Sequence, residues 1–374
     1  MRVAGNFLGD LISESLIFCA TLPHMTLTEL MLQQFRSYTK RLFTFSSATT
    51  LIIGPNTAGK TNILEAIILM ATGKSFRADT DGEMVRWESE IGRVKATIGE
   101  TKLELVLTTG SVGGRKTQTK KFLVNGIPRR QIDFVGALRA VLFWPEHLEL
   151  VTDSPSIRRK YLDSVLVQVD REYRRNLVSY ERGLRQRNRL LDLVNEGRAH
   201  RHQLLFWNQL LIKSGSYLTD KRMAYINFVN AFQVPGVKNF VEYDKSVISE
   251  SRLEDYKDEE VAAKATLVGP HRDDIGFYKH HGKELLDLSK YGSRGEQRLA
   301  ILWLKLAELS YVEREVGERP LLILDDIFSE LDVVHRELVL ELLGKQQTII
   351  SSAEEEVIGL LKKHKVAVEI IRLE

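Results

Sequence analysis

The segment Gly54-Pro55-Asn56-Thr57-Ala58-Gly59-Lys60-Thr61 has the spacing G-x-x-x-x-G-K-[ST] and carries the clearest chemistry in the chain. Glycines at both ends let the backbone wrap closely around a phosphate chain, with successive N–H groups pointing inward and a helix N-terminus behind them. In such a loop the Lys60 ammonium reaches the β- and γ-phosphates, and the Thr61 hydroxyl is a ligand for Mg²⁺. The predicted ligand is a nucleoside triphosphate with Mg²⁺. A pair of carboxylates, Asp325-Asp326, follows the apolar run Pro320-Leu321-Leu322-Ile323-Leu324. Such a run is expected of a strand buried on both faces of a parallel sheet. A carboxylate at its end can hold the cation or its water opposite Thr61, which gives Asp325 that role, and Asp326 can orient the attacking water.

The elements that must position these groups are partly legible. Leu51-Ile52-Ile53 leads into the loop, and Asn62 to Thr72 has helical periodicity through Ile63, Ile67 and Met70 before Gly73, where a helix should end. Short alternating segments, Leu27 to Leu32, Val94 to Ile98, Leu103 to Thr108 and Phe122 to Val124, predict a strand-rich region up to about Pro145. From Ser156 to about Asn230 the pattern turns to long helical repeats without proline. A strand-like Phe240-Val241-Glu242-Tyr243 and a charged helix around Leu253 to Ala265 follow, and strand and helix alternate again after Leu285.

With 374 residues, 43% of them hydrophobic and 28% charged, the chain can bury a sizeable core in about two to three domains or lobes. A net charge of only +3 means that any polyanion-binding surface must be local. The single cysteine, Cys19, rules out an intrachain disulfide and a cysteine-based metal cluster, and it fits a reducing, cytoplasmic compartment. Residues 1–24 are read as an uninformative extension. Leu8 to Leu22 is moderately apolar, but with Asp10 and Glu14 it is too short and polar to span a bilayer or to serve as a good signal peptide, so no membrane partner is expected.

Ser293-Arg294-Gly295-Glu296-Gln297-Arg298 is a polar turn feeding a helix through Leu299, Leu302, Leu306 and Leu309. This arrangement resembles the signature of ABC-type ATPases, with Ser293 and Gly295 in the places of its serine and middle glycine. In that family the signature contacts the γ-phosphate of ATP held by the opposite subunit, so the resemblance implies an ATP-dependent homodimer. Ser329-Glu330-Leu331-Asp332 likewise resembles the D-loop of these heads. Two departures stand out: Asp326 occupies a position that usually holds glutamate, and Ser351-Ser352 occupies one where many members place a histidine. The shorter Asp326 side chain fits a slow, switch-like ATPase. Glu146 is a loose candidate for the Q-loop position.

More segments carry a closer resemblance. Gln34-Phe35-Arg36-Ser37-Tyr38, Gly59 to Ile67, Lys74-Ser75-Phe76-Arg77, Trp144-Pro145-Glu146, Ser154 to Asp163, Gln186-Arg187-Asn188 and Gly269-Pro270-His271-Arg272-Asp273-Asp274 are similar to stretches of the RecF family, DNA-repair ATPases of the SMC-like group. The similarity runs over nearly the whole chain from Met25. It implies an α/β fold, an ABC-type P-loop ATPase head with a mixed sheet and helices and an inserted α-helical lobe. The head would comprise residues 25–150 and 265–374, and the lobe residues 151–264. It also implies ATP-dependent dimerisation on DNA, weak DNA-stimulated hydrolysis, and action with RecO and RecR to place RecA on gapped DNA.

A DNA surface can be sought in the helical region. If Ser156 to Leu193 is one helix, Leu162, Val169, Tyr173, Leu177, Tyr180 and Leu184 share a face, and Arg171, Arg175, Arg182, Arg185 and Arg189 lie roughly opposite. Arg158 to Arg189 holds ten Lys/Arg against four Asp/Glu. Such a stripe can track phosphates of double-stranded, single-stranded or junction DNA independently of sequence. It can equally be a solvated helix face, with Glu172 and Glu181 pairing locally. Arg187 falls on the apolar side, where it should pair within the fold. Two other ATPase readings fit less well. The helical insertion argues against a transporter's nucleotide-binding subunit, and the missing long heptad arms argue against a chromosome-structuring SMC head. A non-hydrolysing nucleotide-sensing scaffold stays open.

Overall fold

The structure is a computed structural model that describes residues 26–282, 284–331 and 333–374. The extension 1–24 with Cys19, and Asp332 of the D-loop-like segment, lie outside the described residues. The chain forms two compact units, one of residues up to His147 together with Glu308–Glu374, and one of Leu148–Ala307.

The first unit is built on two sheets. Among the described residues an antiparallel sheet runs β2-β1-β4-β5-β8-β9, from β1 (Leu27–Phe35), β2 (Tyr38–Thr44), β4 (Ile91–Ile98), β5 (Thr101–Thr108), β8 (Lys120–Val124) and β9 (Ile127–Arg129). A small hairpin of β6 (Ser111–Val112) and β7 (Arg115–Lys116) interrupts that sequence. The second sheet is parallel, in the order β10-β14-β15-β3-β16, from β3 (Thr49–Ile53), β10 (Ala140–Phe143), β14 (Leu321–Asp325), β15 (Thr348–Ser352) and β16 (Val368–Arg372). Every residue of β3, β10, β14 and β15 is buried, which explains their continuous apolar runs. Helix α1 (Lys60–Thr72) packs on β10, β14 and β15 and also on β4, so it is covered nearly all round. Gly73 ends it at φ 75°, a left-handed conformation in which a Cβ would be strained.

The Gln347 side chain bonds directly across the two sheets. Gln347, 2% exposed just before β15, accepts the Leu27 N–H at 2.8 Å and donates to the carbonyls of Leu27 and Ser46, both at 2.8 Å. It satisfies the Leu27 N–H and carbonyl at the start of β1.

The second unit holds three long helices, α2 (Pro155–Val169), α3 (Arg171–Asn195) and α4 (Leu205–Ala231), with a sheet of β11 (Asn239–Asp244), β12 (Asp274–His281) and β13 (Glu284–Asp287). The single helix expected from Ser156 to Leu193 is therefore two. Asp170 breaks it with extended dihedrals, and its carboxylate caps α3 by accepting the N–H groups of Glu172 and Tyr173. The charged helix expected near Leu253 is also divided, into Glu250–Asp255 and Lys257–Ala263. Helices α3 and α4 approach closely at Gly183, where a Cβ would stand 3.1 Å from Leu210 Cδ2. Among the described residues no helix is long and apolar enough to cross a membrane.

This unit extends beyond residue 264 to Ala307, for two physical reasons. Strand β11 pairs with β12 along its length, and the carboxylates Asp273 and Asp274 pair with arginines of the helices. Arg158 grips Asp274 through Nε at 2.6 Å and NH2 at 2.9 Å. Arg222, 2% exposed, reaches Asp163 and Asp273 at 2.8 Å each and the Pro270 carbonyl at 2.6 Å. Arg187 is likewise buried, bonded to Glu260 at 2.6 Å and Asn208 at 2.7 Å, so it does pair within the fold as its helical phase suggested. Helix α5 (Arg294–Val316) carries the chain onward into the first unit.

His271 sits inside this polar cluster, with Nδ1 2.8 Å from the Tyr180 hydroxyl and Nε2 3.0 Å from the Thr266 carbonyl. Burial pushes its pKa down from 6.5 to about 4. The unfolded chain then binds the proton more tightly than the folded one, so His271 favours folding above pH 6.5 and loses that contribution as the pH falls toward 4. The expected loss is about 3 kcal/mol across that window. Denaturant titrations at both ends of the window should show a smaller pH-dependent loss for His271→Asn than for the unsubstituted protein.

Candidate active site

The phosphate loop leaves the C-terminal end of β3, and the acidic pair leaves the C-terminal end of β14. Strand β15 lies between them in the sheet. In parallel α/β sheets, ligands sit outside these carboxyl ends. The loop is wrapped as its glycines require. Gly59 adopts φ 89° at the start of α1, and a Cβ there would lie 2.9 Å from both the Ser37 and Tyr38 hydroxyl oxygens. Gly54 is equally confined, with the Leu373 carbonyl 2.7 Å from where its Cβ would stand. Pro55, Asn56 and Thr57 are exposed, and Ala58 and Thr61 are half-buried.

Lys60 is 7% exposed, and its ammonium donates to the Gly54 carbonyl at 2.7 Å and the Pro55 carbonyl at 2.9 Å. The cation is thus folded back into the loop that a phosphate chain would fill. Burial lowers its pKa, and the nearby Asp326 and Asp325 oppose that shift. Asp325, 5% exposed, accepts a hydrogen bond from the Ser351 hydroxyl, and the Thr61 hydroxyl lies near enough to favour its charged form. Its carboxyl is nevertheless pushed above the usual range, first by burial and further by Asp326, against the pull of those hydroxyls and of Lys60. Asp326 follows at φ 48°, a left-handed conformation that is strained for a residue with a Cβ. Its Oδ1 is buried and has no hydrogen-bond partner among the described residues.

These observations fit a divalent cation. Two adjacent carboxylates, one incompletely stabilised and one with an orphaned oxygen, stand beside the hydroxyl of Thr61, which is an oxygen donor set suited to Mg²⁺.

The structure brings Lys60, Thr61, Asp325 and Asp326 together. Ser293 and Gly295 belong to the other unit, at the start of α5. There Ser293 and Glu296 form a reciprocal cap, with Glu296 Oε2 accepting the Ser293 N–H and hydroxyl at 2.9 Å each. Lys279 bonds Glu296 at 2.7 Å and is the main reason that its carboxyl titrates down near about 2. Ser293, Arg294 and Gly295 are exposed, and a Cβ on Gly295 would meet no atom within 4 Å. The helix start is held by Glu296 while its serine and glycine face open space.

Two features had no role assigned from sequence. Arg36 pairs in bidentate fashion with the fully buried Glu65 of α1, at 2.8 and 2.6 Å, and Ser75 donates to the same carboxylate at 2.5 Å. Asn62 then links Ser37 at 2.9 Å to Arg77 at 3.3 Å. The segments 34–38, 62–67 and 74–77, read separately in the sequence, are one network behind the loop. The other is the bond from Ser351 to Asp325, whose only sequence signal was a polar pair ending an apolar strand. Elsewhere, Arg171, Arg175, Arg182, Arg185 and Arg189 are all exposed on α3, and all follow the Asp170 break, so the stripe lies on one helix. Arg175 pairs with Glu172 at 3.0 Å on the surface.

A phosphate loop on a parallel sheet, an acidic pair at the end of the strand two places away and a flanking antiparallel sheet define an ATPase head of the ABC and SMC type. The model of the RecF/RecN/SMC N terminal domain matches residues 26–370. Within that group the chain belongs to the RecF family. It is 34% identical to the DNA replication and repair protein RecF of Lachnoclostridium phytofermentans over 87% of this chain and 92% of that protein. It is 37% identical to RecF of Chloroflexus aurantiacus over 88% of this chain and 94% of the relative. A solved structure of the recombination mediator protein RecF in its RecF-ATPrS form superposes with a TM-score of 0.80 at 28% identity, covering 95% of this chain and 97% of that one. The RecF-ATP form gives 0.80 at 28% identity over 90% and 94%.

The geometry separates the roles of two residues. Lys60→Ala should weaken binding of a fluorescent ATP analogue by about 100-fold or more, which is roughly 2.7 kcal/mol. Asp325→Asn should leave metal-free binding within a few-fold and abolish its strengthening by Mg²⁺, in the same fluorescence titration.

Proposed function

We propose that this protein is an ATP-switched DNA-binding dimer of recombinational repair and replication-fork maintenance. The observation that carries the reading is the convergence of Lys60, Thr61, Asp325 and the orphaned Asp326 oxygen at the ends of β3 and β14. ATP binds in the loop from Gly54 to Thr61, where Lys60 exchanges its two backbone carbonyls for the β- and γ-phosphate oxygens. Bound Mg²⁺ neutralises charge on the triphosphate. Thr61 and Asp325 hold that ion or its water in place, and Asp326 accepts a hydrogen bond from the water that attacks. A carboxylate on a short side chain positions that water loosely, which supports slow hydrolysis suited to release rather than to work.

The signature completes the site from a second copy. Ser293 and Gly295 are exposed at the capped start of α5; Gly295 offers open backbone, and Ser293 exchanges the Glu296 partner of its hydroxyl for the γ-phosphate held by the partner subunit's loop. ATP then closes the dimer, and hydrolysis opens it. The arginines at 171, 175, 182, 185 and 189 contact DNA phosphates, and DNA stimulates turnover. Cooperation with RecO and RecR in loading RecA at gapped DNA is the cellular role; family membership supports it.

Light scattering should show a dimer with ATP and Mg²⁺ and a monomer with ADP or no nucleotide. A monomer under all conditions, DNA included, would sink the trans-signature mechanism. Charge reversal at Arg175, Arg182 and Arg189 together should preserve that dimer while weakening DNA binding and reducing its log–log salt slope by about 3. Unaltered DNA affinity would remove the stripe from the account.

A further inference from the structure

The pair of residues that ends β15 lies between the phosphate loop and the acidic pair. Strand β15 is hydrogen-bonded to β3 on one side and to β14 on the other, with Ser351 in register with Ile52 and with Asp325. Ser351 is 0% exposed, and its hydroxyl donates to Asp325 Oδ1. The backbone of the same residue accepts the Asp326 N–H at 3.1 Å, and the Ser352 carbonyl accepts the Gly54 N–H at 3.3 Å. Ser352 is also buried, but its hydroxyl turns away to accept the Glu354 N–H at 3.0 Å. One serine therefore faces the carboxylate, and the other caps the following turn.

Thr61 has two uses that compete. Its hydroxyl lies beside Asp325, where it favours the charged carboxylate, yet the phosphate-loop chemistry requires that oxygen as a metal ligand. When Thr61 turns to the ion, the Asp325 carboxylate keeps one direct hydroxyl donor among the described residues, Ser351. A carboxylate fixed at one oxygen presents the other in a single direction, which is the service that outer groups perform for metal ligands generally. We propose that Ser351 is the positioning residue for the Mg²⁺-holding carboxylate Asp325. It acts by fixing the rotamer of that carboxylate while Thr61 exchanges it for the metal. The inference rests on the nucleotide-site reading above.

The test is the Mg²⁺ dependence of nucleotide binding, which needs no turnover. A fluorescent ATP analogue is bound to the full-length protein in EDTA and then titrated with MgCl₂, for the unsubstituted chain, Ser351→Ala and Ser351→Thr. Ser351→Ala should raise the half-saturating Mg²⁺ concentration by about 10- to 100-fold, while affinity in EDTA stays within about twofold. Ser351→Thr, which keeps the hydroxyl and suits a strand, should restore the value to within about threefold. A half-saturation for Ser351→Ala within about twofold of the unsubstituted chain overturns the proposal. Equal impairment of both variants also overturns it, since packing rather than the hydroxyl would then be the cause. So does a matching loss of affinity in EDTA. If the unsubstituted chain shows no Mg²⁺ dependence at all, the nucleotide-site reading fails along with it.

Discussion

A carboxylate buried at the end of an apolar strand is the constraint around which the first unit is arranged. Taking such a group out of water costs several kcal/mol unless it is paired or hydrogen-bonded. Asp325 receives partial compensation only. Two hydroxyls and the Lys60 ammonium lie near it, yet burial still holds its carboxyl above the usual range. The compensating groups come from two elements: Lys60 and Thr61 from the start of α1, and Ser351 from the end of β15. Their meeting depends on the strand order that places β15 between β3 and β14. The surrounding apolar strands and the enclosed α1 secure the sheet, so that its polar ends can remain incompletely satisfied. That residual imbalance is what a divalent cation would relieve.

The second unit treats charge in the opposite way. Arg222 has two carboxylates and a carbonyl, Arg187 has Glu260, and Arg158 has Asp274. Buried charges that are matched in this manner define shape and leave nothing for a ligand to complete. In the first unit, at the strand ends, Asp326 Oδ1 is a buried carboxylate oxygen without a hydrogen-bond partner among the described residues. On α3 the same distinction is drawn by helical phase. Arg185 and Arg189 are exposed, and Arg187 between them is buried against Glu260.

Much of this was legible in the sequence because it depends on local rules. The loop spacing, the apolar run of β14, the glycine ending α1 and the inward turn of Arg187 all follow from residue type and period. The break at Asp170 was missed because its apolar periodicity continues across it, although an aspartate before Arg-Glu-Tyr is itself a cap signal. The reach of the second unit to Ala307 could not be read locally. It rests on pairings such as Arg158 with Asp274 and β11 with β12, whose partners are distant in sequence. The Arg36 to Glu65 pair and the Ser351 to Asp325 bond are invisible for the same reason. Each is a contact between residues that show no shared pattern until the sheet order is known.

The central claim is that Ser293 of one copy completes the site built on Lys60 of another, and mixed dimers test it most directly. Lys60→Ala and Ser293→Arg proteins would each be assayed for ATP hydrolysis with DNA, alone and then mixed in equal amounts. In a symmetric dimer, random pairing gives one heterodimer composite site with both lesions and one with neither, so the mixture should recover about a quarter of the unsubstituted rate while each variant alone is inactive. A mixture as inactive as its components would contradict the account.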